Sequence, residues 1–280
     1  MKYYSKIFNK IKRQPILEKI VVVFMLLLIL CLVYNLDRYK EGYTENKEII
    51  KKVGNKVYDG YYADIYDAIT FSSLKNEYEI NQIIKNKYQS KSIILDVGCG
   101  TGHHVKLLKD KGVQSVIGVD NSKAMISKAK KNYPKENFKL CKNINTLEFN
   151  RATFTHITCL YFTIYYIDDK KKFFENCFYW LKPGGFLIIH MVDPLRFDPV
   201  VPNGKPFKVN YDKEERITRS KANFEDFEYR SNFILDENIN LDNRYLNKRN
   251  AIFRETINDK NNNKTTINEH EMFFMSQQTI

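Results

Sequence analysis

The stretch Ile94-Leu-Asp-Val-Gly-Cys-Gly-Thr-Gly102 constrains this chain more than any other. An apolar run, 92–97, leads into glycines at alternate positions, Gly98, Gly100 and Gly102, and a helical pattern follows over 103–111. Glycine lets a strand turn sharply into a helix and lets a ligand approach the main chain closely. The acidic Asp96 stands just before the turn. A carboxylate there suits a nucleoside ligand carrying positive charge better than one carrying a pyrophosphate.

The surrounding pattern extends the reading. Strand candidates at 92–97, 115–120, 138–142, 156–160 and 186–192 alternate with helices at 103–111, 122–132 and 170–181. Apolar strands alternating with helices indicate an α/β fold, a doubly wound, mainly parallel sheet covered on both faces. Lys182-Pro-Gly-Gly185 reads as a tight turn before the fifth strand. Residues 57–86 read as helical, and the aromatics of 58–66 either pack on the domain or close over a ligand. After Asp193 the pattern changes: 214–224, 227–235, 251–257 and 265–274 interleave β-branched or aromatic residues with polar ones. These predict an antiparallel sheet appended to the parallel core, a natural place for substrate recognition. Residues 276–280 read as the start of a helix, and there is no internal repeat.

Residues 20–34 form an unbroken apolar run preceded by Lys2, Lys6, Lys10, Lys12, Arg13 and Lys19. Extended to Leu36, with Lys19 snorkelling at one end, the run approaches the roughly 20 residues that a bilayer core requires. No small-x-small cleavage site follows it, which counts against a signal peptide, and it has no polar face, which counts against a buried soluble helix. It reads as an uncleaved single-pass transmembrane anchor. Basic residues are matched on both sides, so the orientation stays open. A cytosolic catalytic domain is expected, because the expected cofactor is made there. The organisation predicted is a basic tail 1–19, an anchor 20–36, a linker 37–56, a ligand-binding domain 57–193 and a substrate-region extension 194–280.

A net charge of +12 favours anionic partners. The charge is spread out and nowhere interleaved with aromatics in a recognition pattern, so a solvated basic surface is favoured over a nucleic-acid patch. Cys31, Cys99, Cys141, Cys159 and Cys177 are odd in number and scattered. A disulfide framework or a metal site is therefore not expected.

The ligand can be narrowed further. A dinucleotide fingerprint needs G-x-G-x-x-G, and His103 stands where its third glycine belongs. S-adenosylmethionine has an ammonium, a sulfonium, a ribose diol and an adenine, and no phosphate. Asp96 can support the ammonium through water, and Asp120, ending Val116-Ile-Gly-Val-Asp120, can accept both ribose hydroxyls. Asp120 can equally cap the helix at Ser122; the two roles are compatible.

With LDVGCGTG, VIGVDNS and LKPGG in hand, the chain resembles the class I S-adenosylmethionine-dependent methyltransferase superfamily over about 57–193. The resemblance implies a Rossmann-like fold and a cofactor site built from Asp96, Gly98, Cys99, Gly100 and Gly102, with Asp120 and Asn121 at the ribose. It implies further that Asn143 meets the adenine amino group, where the family usually has an acid, and that Ile144 packs on the ring. Leu160 and Tyr161 would lie near the methyl-bearing end, and Tyr58 and Tyr66 in a lid. The segment from Cys159 to Val200, with Asn268-Glu-His-Glu-Met-Phe-Phe274, also resembles uncharacterised methyltransferase-like proteins of giant DNA viruses. Those continue into another helix and strand, so the resemblance raises the expectation that the last sheet elements are lacking here.

Methyl transfer to an activated sulfonium carbon depends largely on positioning, and a base is needed only when the nucleophile must lose a proton. Tyr161, His190 and His103 are the candidates, each with a structural reading that is at least as good: aromatic core, a packed histidine and a polar helix start. There is no Asn-Pro-Pro-Tyr signature for nucleobase amines. The expected function is a membrane-anchored methyltransferase acting on a lipid, small molecule or protein. An RNA methyltransferase and a catalytically silent binding module remain as alternatives.

Overall fold

The structure, a computed structural model, describes residues 15, 16, 21, 23–31, 48–85, 91–193, 219–236 and 250–275. The chain divides into two compact units, Met1–Lys47 and Glu48–Ile280. In the first, residues 23–31 are helical and their apolar side chains are exposed. Among the described residues no helix is long and apolar enough to cross a membrane. The rest of the basic tail, the ends of the apolar run and residues 37–47 lie outside the described residues, as do 194–218 and 276–280.

Among its described residues the second unit holds two five-stranded sheets. One is wholly parallel, in the order β4-β3-β2-β5-β6, built from β2 (Ile93–Val97), β3 (Ser115–Asp120), β4 (Asn137–Leu140), β5 (Phe154–Cys159) and β6 (Leu181–Ile189). Alternation along β2 assigns its faces. Ile94 joins a cluster with helices α2 (Ser73–Lys85), α3 (His103–Asp110) and α4 (Lys123–Asn132). Leu95 and Val97 join the opposite cluster with α5 (Thr163–Tyr166) and α6 (Lys170–Trp180). Both faces are thus covered, as near-continuous apolar strands require. Helix starts follow side-chain capping: Ser122 Oγ accepts from Met125 N at 3.1 Å and Asp169 Oδ1 from Lys172 N at 2.9 Å. The Lys182-Pro-Gly-Gly185 segment is a bulge in β6: Leu181 pairs with Phe154 and Phe186 with His156, so the four residues between leave the ladder.

The other sheet runs β1-β10-β9-β8-β7, from β1 (Glu48–Val53), β7 (Arg219–Asn223), β8 (Phe227–Leu235), β9 (Ala251–Asp259) and β10 (Lys264–Met272). Its late strands pair antiparallel with one another and stand apart from the parallel sheet, packed on it through Phe233, Ala251, Met272 and Phe274. Residues 48–53, expected within a linker, are a strand that pairs in parallel with β10. Its lysines and isoleucines suit an edge, where one side is exposed and charge discourages further pairing. The predicted helix at 57–86 is two helices, α1 (Gly60–Thr70) and α2, broken at Phe71 and Ser72. α1 packs Tyr62, Ala63 and Ile69 with Met125 of α4 and Tyr229 and Ile257 of the second sheet.

Candidate active site

A cavity of about 990 Å³ lies between the carboxyl ends of the parallel strands and the second sheet. That edge of a parallel sheet, where strand order reverses beside β2, is where α/β folds receive ligands. The glycine loop is fastened there: Gly98 N and Cys99 N both donate to Val119 O, at 2.8 and 3.0 Å. Gly102 has φ +92°, and a Cβ on it would stand 2.6 Å from Phe138 Cζ. The tight turn into α3 therefore needs glycine both for its left-handed backbone and for its contact with β4.

Asp120, at the end of β3, lines the cavity. Its Oδ2 accepts from Gly100 N at 3.0 Å and its Oδ1 from Ser122 N at 2.9 Å. Burial pushes its carboxyl above the ordinary range, partly offset by those amides and reinforced by Asp96. A half-buried carboxylate with lone pairs left over is short of donors, and a ribose diol supplies two. Asn121 also lines the cavity and donates to Asn55 Oδ1 at 3.3 Å. Asn143 and Ile144 border the far end. The Asn143 Oδ1 that would meet an adenine amine already accepts from Asn145 N at 2.9 Å. Asn145 Oδ1, by contrast, is buried without a hydrogen-bond partner and belongs to the same lining. An exocyclic amine would satisfy it. Asn145 was missed because no local motif distinguishes it from its asparagine neighbour.

Asp96 faces the α2–α3 side, as its place two residues after Ile94 dictates. It borders a separate pocket of about 50 Å³, shared with Gly98, Cys99, Gly100, Leu160 and His103. Thr158 Oγ1 donates to Asp96 Oδ1 at 2.6 Å, and burial again raises the carboxyl. Such a pocket has room for water, the intermediary through which Asp96 would reach an ammonium. Gly102 lines neither space.

Tyr58 and Tyr66 line the large cavity, and so do Tyr161 and His190. Tyr161 has φ +55°, and Lys75 Nζ sits 4.4 Å from its ring centroid. His190 Nδ1 is 3.0 Å from Glu79 Oε1, and His104 Nε2 is 2.7 Å from Glu79 Oε2. Burial acts to raise Glu79, but both histidines and Lys75 outweigh it and hold the carboxyl well below its usual range. His103 Nδ1 meets Tyr133 Oη at 2.6 Å, and its Nε2 lies 3.1 Å from Asp67. The large cavity does not include it.

The second sheet adds a pair that motif reading did not find. Glu255 on β9 and His270 on β10 are buried at the cavity wall, with Glu255 Oε2 2.7 Å from His270 Nε2. Each is a polar residue at an inward position of an alternating strand, a signal that becomes readable only once β9 and β10 are paired. Four buried cysteines, Cys99, Cys141, Cys159 and Cys177, form no disulfide. Among the described residues no group of His, Cys, Asp or Glu is placed to hold a metal ion.

A parallel sheet in this order, a glycine loop tied to the next strand and an acidic residue at that strand's end form the ligand-receiving edge of a Rossmann-like α/β fold. Residues 95–189 match the family described as "Methyltransferase domain". The chain is 33% identical over 156 residues to the malonyl-[acyl-carrier protein] O-methyltransferase of Priestia megaterium, covering 51% of each. It is 31% identical over 143 residues to the dTDP-4-amino-2,3,4,6-tetradeoxy-D-glucose N,N-dimethyltransferase of Saccharopolyspora spinosa, covering 48% of this chain and 56% of that one. It thus spans about half the length of these curated relatives. An S-adenosylmethionine-dependent methyltransferase from Clostridium acetobutylicum superposes with a TM-score of 0.56 at 21% identity, over 78% of this chain and 82% of that one, and shows the shared fold.

Proposed function

We propose that this chain transfers a methyl group from S-adenosylmethionine to an acceptor held between its two sheets. The carrying observation is Asp120: a half-buried carboxylate, locked to the glycine loop and facing a cavity that continues to the second sheet. When bound, S-adenosylmethionine supplies an electrophilic methyl group on a sulfonium. Asp120 would hold the ribose, Asn145 or Asn143 the adenine amine, and Asp96 and the glycine loop the methionine end. The aromatic walls exclude water and orient the acceptor. Isothermal calorimetry of the full chain with S-adenosylhomocysteine tests the reading. Micromolar binding supports it; a folded chain that does not bind sinks it.

The acceptor is a small molecule or a terminal group on this reading, because it would enter a concave cavity walled by Tyr58, Tyr166, Tyr229 and Phe253. One named relative is an O-methyltransferase and the other an N,N-dimethyltransferase, so relatedness leaves the atom open. Membrane anchoring through residues 20–36 is a separate proposal resting on their apolar sequence. Retention in the membrane pellet after carbonate extraction supports it, and release into the supernatant sinks it.

A further inference from the structure

The Glu255–His270 pair is built like a proton acceptor. Glu255 Oε1 accepts from Tyr229 Oη at 2.7 Å and Tyr62 Oη at 3.0 Å, while Oε2 takes His270 Nε2 at 2.7 Å and Asn268 Nδ2 at 3.4 Å. Burial acts to raise this carboxyl, but His270 and the two phenols outweigh it and keep it ionised. An ionised carboxylate only accepts, so the His270 proton sits on Nε2 and the Nδ1 lone pair is left for other partners. Nδ1 points to Tyr166 Oη at 3.2 Å and Tyr58 Oη at 3.4 Å, both on the cavity wall. Burial raises the pKa of the phenols at Tyr58, Tyr62, Tyr166 and Tyr229, so at neutral pH these are donors and none is a base.

We infer that His270 Nδ1 is the base for methyl transfer and that the acceptor is a protonated amine; this rests on the methyltransferase reading above. Aromatic rings surround the imidazole in tilted or edge-on contact, with centroids of Tyr58 at 5.5 Å, Phe253 at 5.7 Å and Tyr62 and Tyr166 at 5.9 Å. Aromatic faces attract cations. The second sheet contributes Glu255 and Glu271 to the lining and no lysine or arginine among the described residues. A carboxylate acceptor would need no base and would meet two negative groups. An alkylammonium lies roughly four pK units above an imidazole, a gap that proton transfer can cross.

The steps balance. The Tyr166 hydroxyl, which donates to His270 Nδ1 in the resting site, passes its proton to that nitrogen as it takes one from the ammonium R–NH3+, and the imidazolium is stabilised by Glu255 through Nε2–H. The freed nitrogen lone pair forms the N–C bond as the C–S pair returns to sulfur. The products are R–NH2+–CH3 and a neutral thioether, and the imidazolium releases its proton to solvent.

The test uses the full chain with labelled histidine, first titrated with S-adenosylhomocysteine and then with cyclohexylammonium, cyclohexanol and cyclohexanecarboxylate. The chain has five histidines, so His270→Gln assigns the signal. If that variant does not fold, contacts to the Tyr58 and Tyr166 rings assign it in the native chain. Cyclohexylammonium should shift the His270 resonance and bind at least tenfold more tightly than cyclohexanecarboxylate. Equal or tighter binding of the carboxylate or the alcohol overturns the inference, as does cofactor binding with a His270 signal that no probe moves. Failure to bind S-adenosylhomocysteine overturns the methyltransferase reading itself.

Discussion

Asp120 and Gly100 are joined by a hydrogen bond of 3.0 Å from the glycine amide to the carboxylate, so one side chain both shapes the loop and faces the ligand. Asp120→Ala should therefore raise the Kd for S-adenosylhomocysteine at least tenfold, since charge-assisted bonds contribute about 1.5–3 kcal/mol each. Calorimetry measures it, and an unchanged Kd would remove Asp120 from the ribose site.

The pH dependence of that affinity has a definite sign. Burial raises the Asp120 carboxyl, so the acid form appears at a higher pH than for an ordinary aspartate. Only the ionised form accepts two hydroxyls in full. Binding should weaken as the pH is lowered, with the decline beginning above pH 4, the usual range for aspartate. Asp120→Asn should flatten the part of this profile that Asp120 contributes and leave the part due to Asp96, which is raised for the same reason.

Two glycines of the loop should respond differently to alanine. At Gly102 the added Cβ meets Phe138 at 2.6 Å in a backbone of φ +92°, whereas at Gly100 the nearest atom is Tyr66 Cε1 at 3.6 Å with φ +54°. Gly102→Ala combines strain with overpacking and should cost about 2–4 kcal/mol; Gly100→Ala carries strain alone, about 1 kcal/mol. Urea unfolding of both variants tests the order, and equal losses would contradict it.

Acid stability should trace partly to Glu79. Its folded pKa is depressed, so its contribution is complete above the unfolded value, near pH 4.5, and is lost as the pH falls toward the folded one. Glu79→Gln should lower the Tm at pH 7, and the gap to the native chain should narrow below pH 4.5. A gap that stays constant down to pH 3 would assign the His104–Glu79–His190 contacts no ionic role.

Tyr165 fastens α5 to the end of β6. Its hydroxyl donates to Val192 O at 3.0 Å and accepts from Val192 N at 2.7 Å, while its ring stacks on Phe274 at 4.0 Å. Tyr165→Phe keeps the stack and strands the Val192 amide, so a loss of about 1–3 kcal/mol is expected in thermal or urea unfolding.

The parallel sheet was legible because buried strands are written as continuous apolar runs; β3 falls on the residues expected, 115–120. The helix expected over 122–132 is found at Lys123–Asn132, capped by the Ser122 side chain. β1 was not legible, since Glu-Ile-Ile-Lys-Lys-Val reads as a charged linker until its distant partner is known. The Glu255–His270 pair escaped for the same reason. Each is one polar residue in an alternating strand, and only the β9–β10 register, which sets Asn268 opposite Glu255, brings the imidazole to the carboxylate.

The pairing of β1 with β10 has a further consequence for how the protein is made. Glu48 lies beside Lys264, so the first strand of the unit waits through more than two hundred residues of synthesis for its neighbour. Tyr58 follows that strand and faces His270, which arrives just as late. The ribosome can deliver the glycine loop and its flanking helices early, but the aromatic wall closes only when the last strand emerges. Nascent chains should thus carry an exposed, unfinished edge for most of translation, a period of exposure to misassembly and to chaperones.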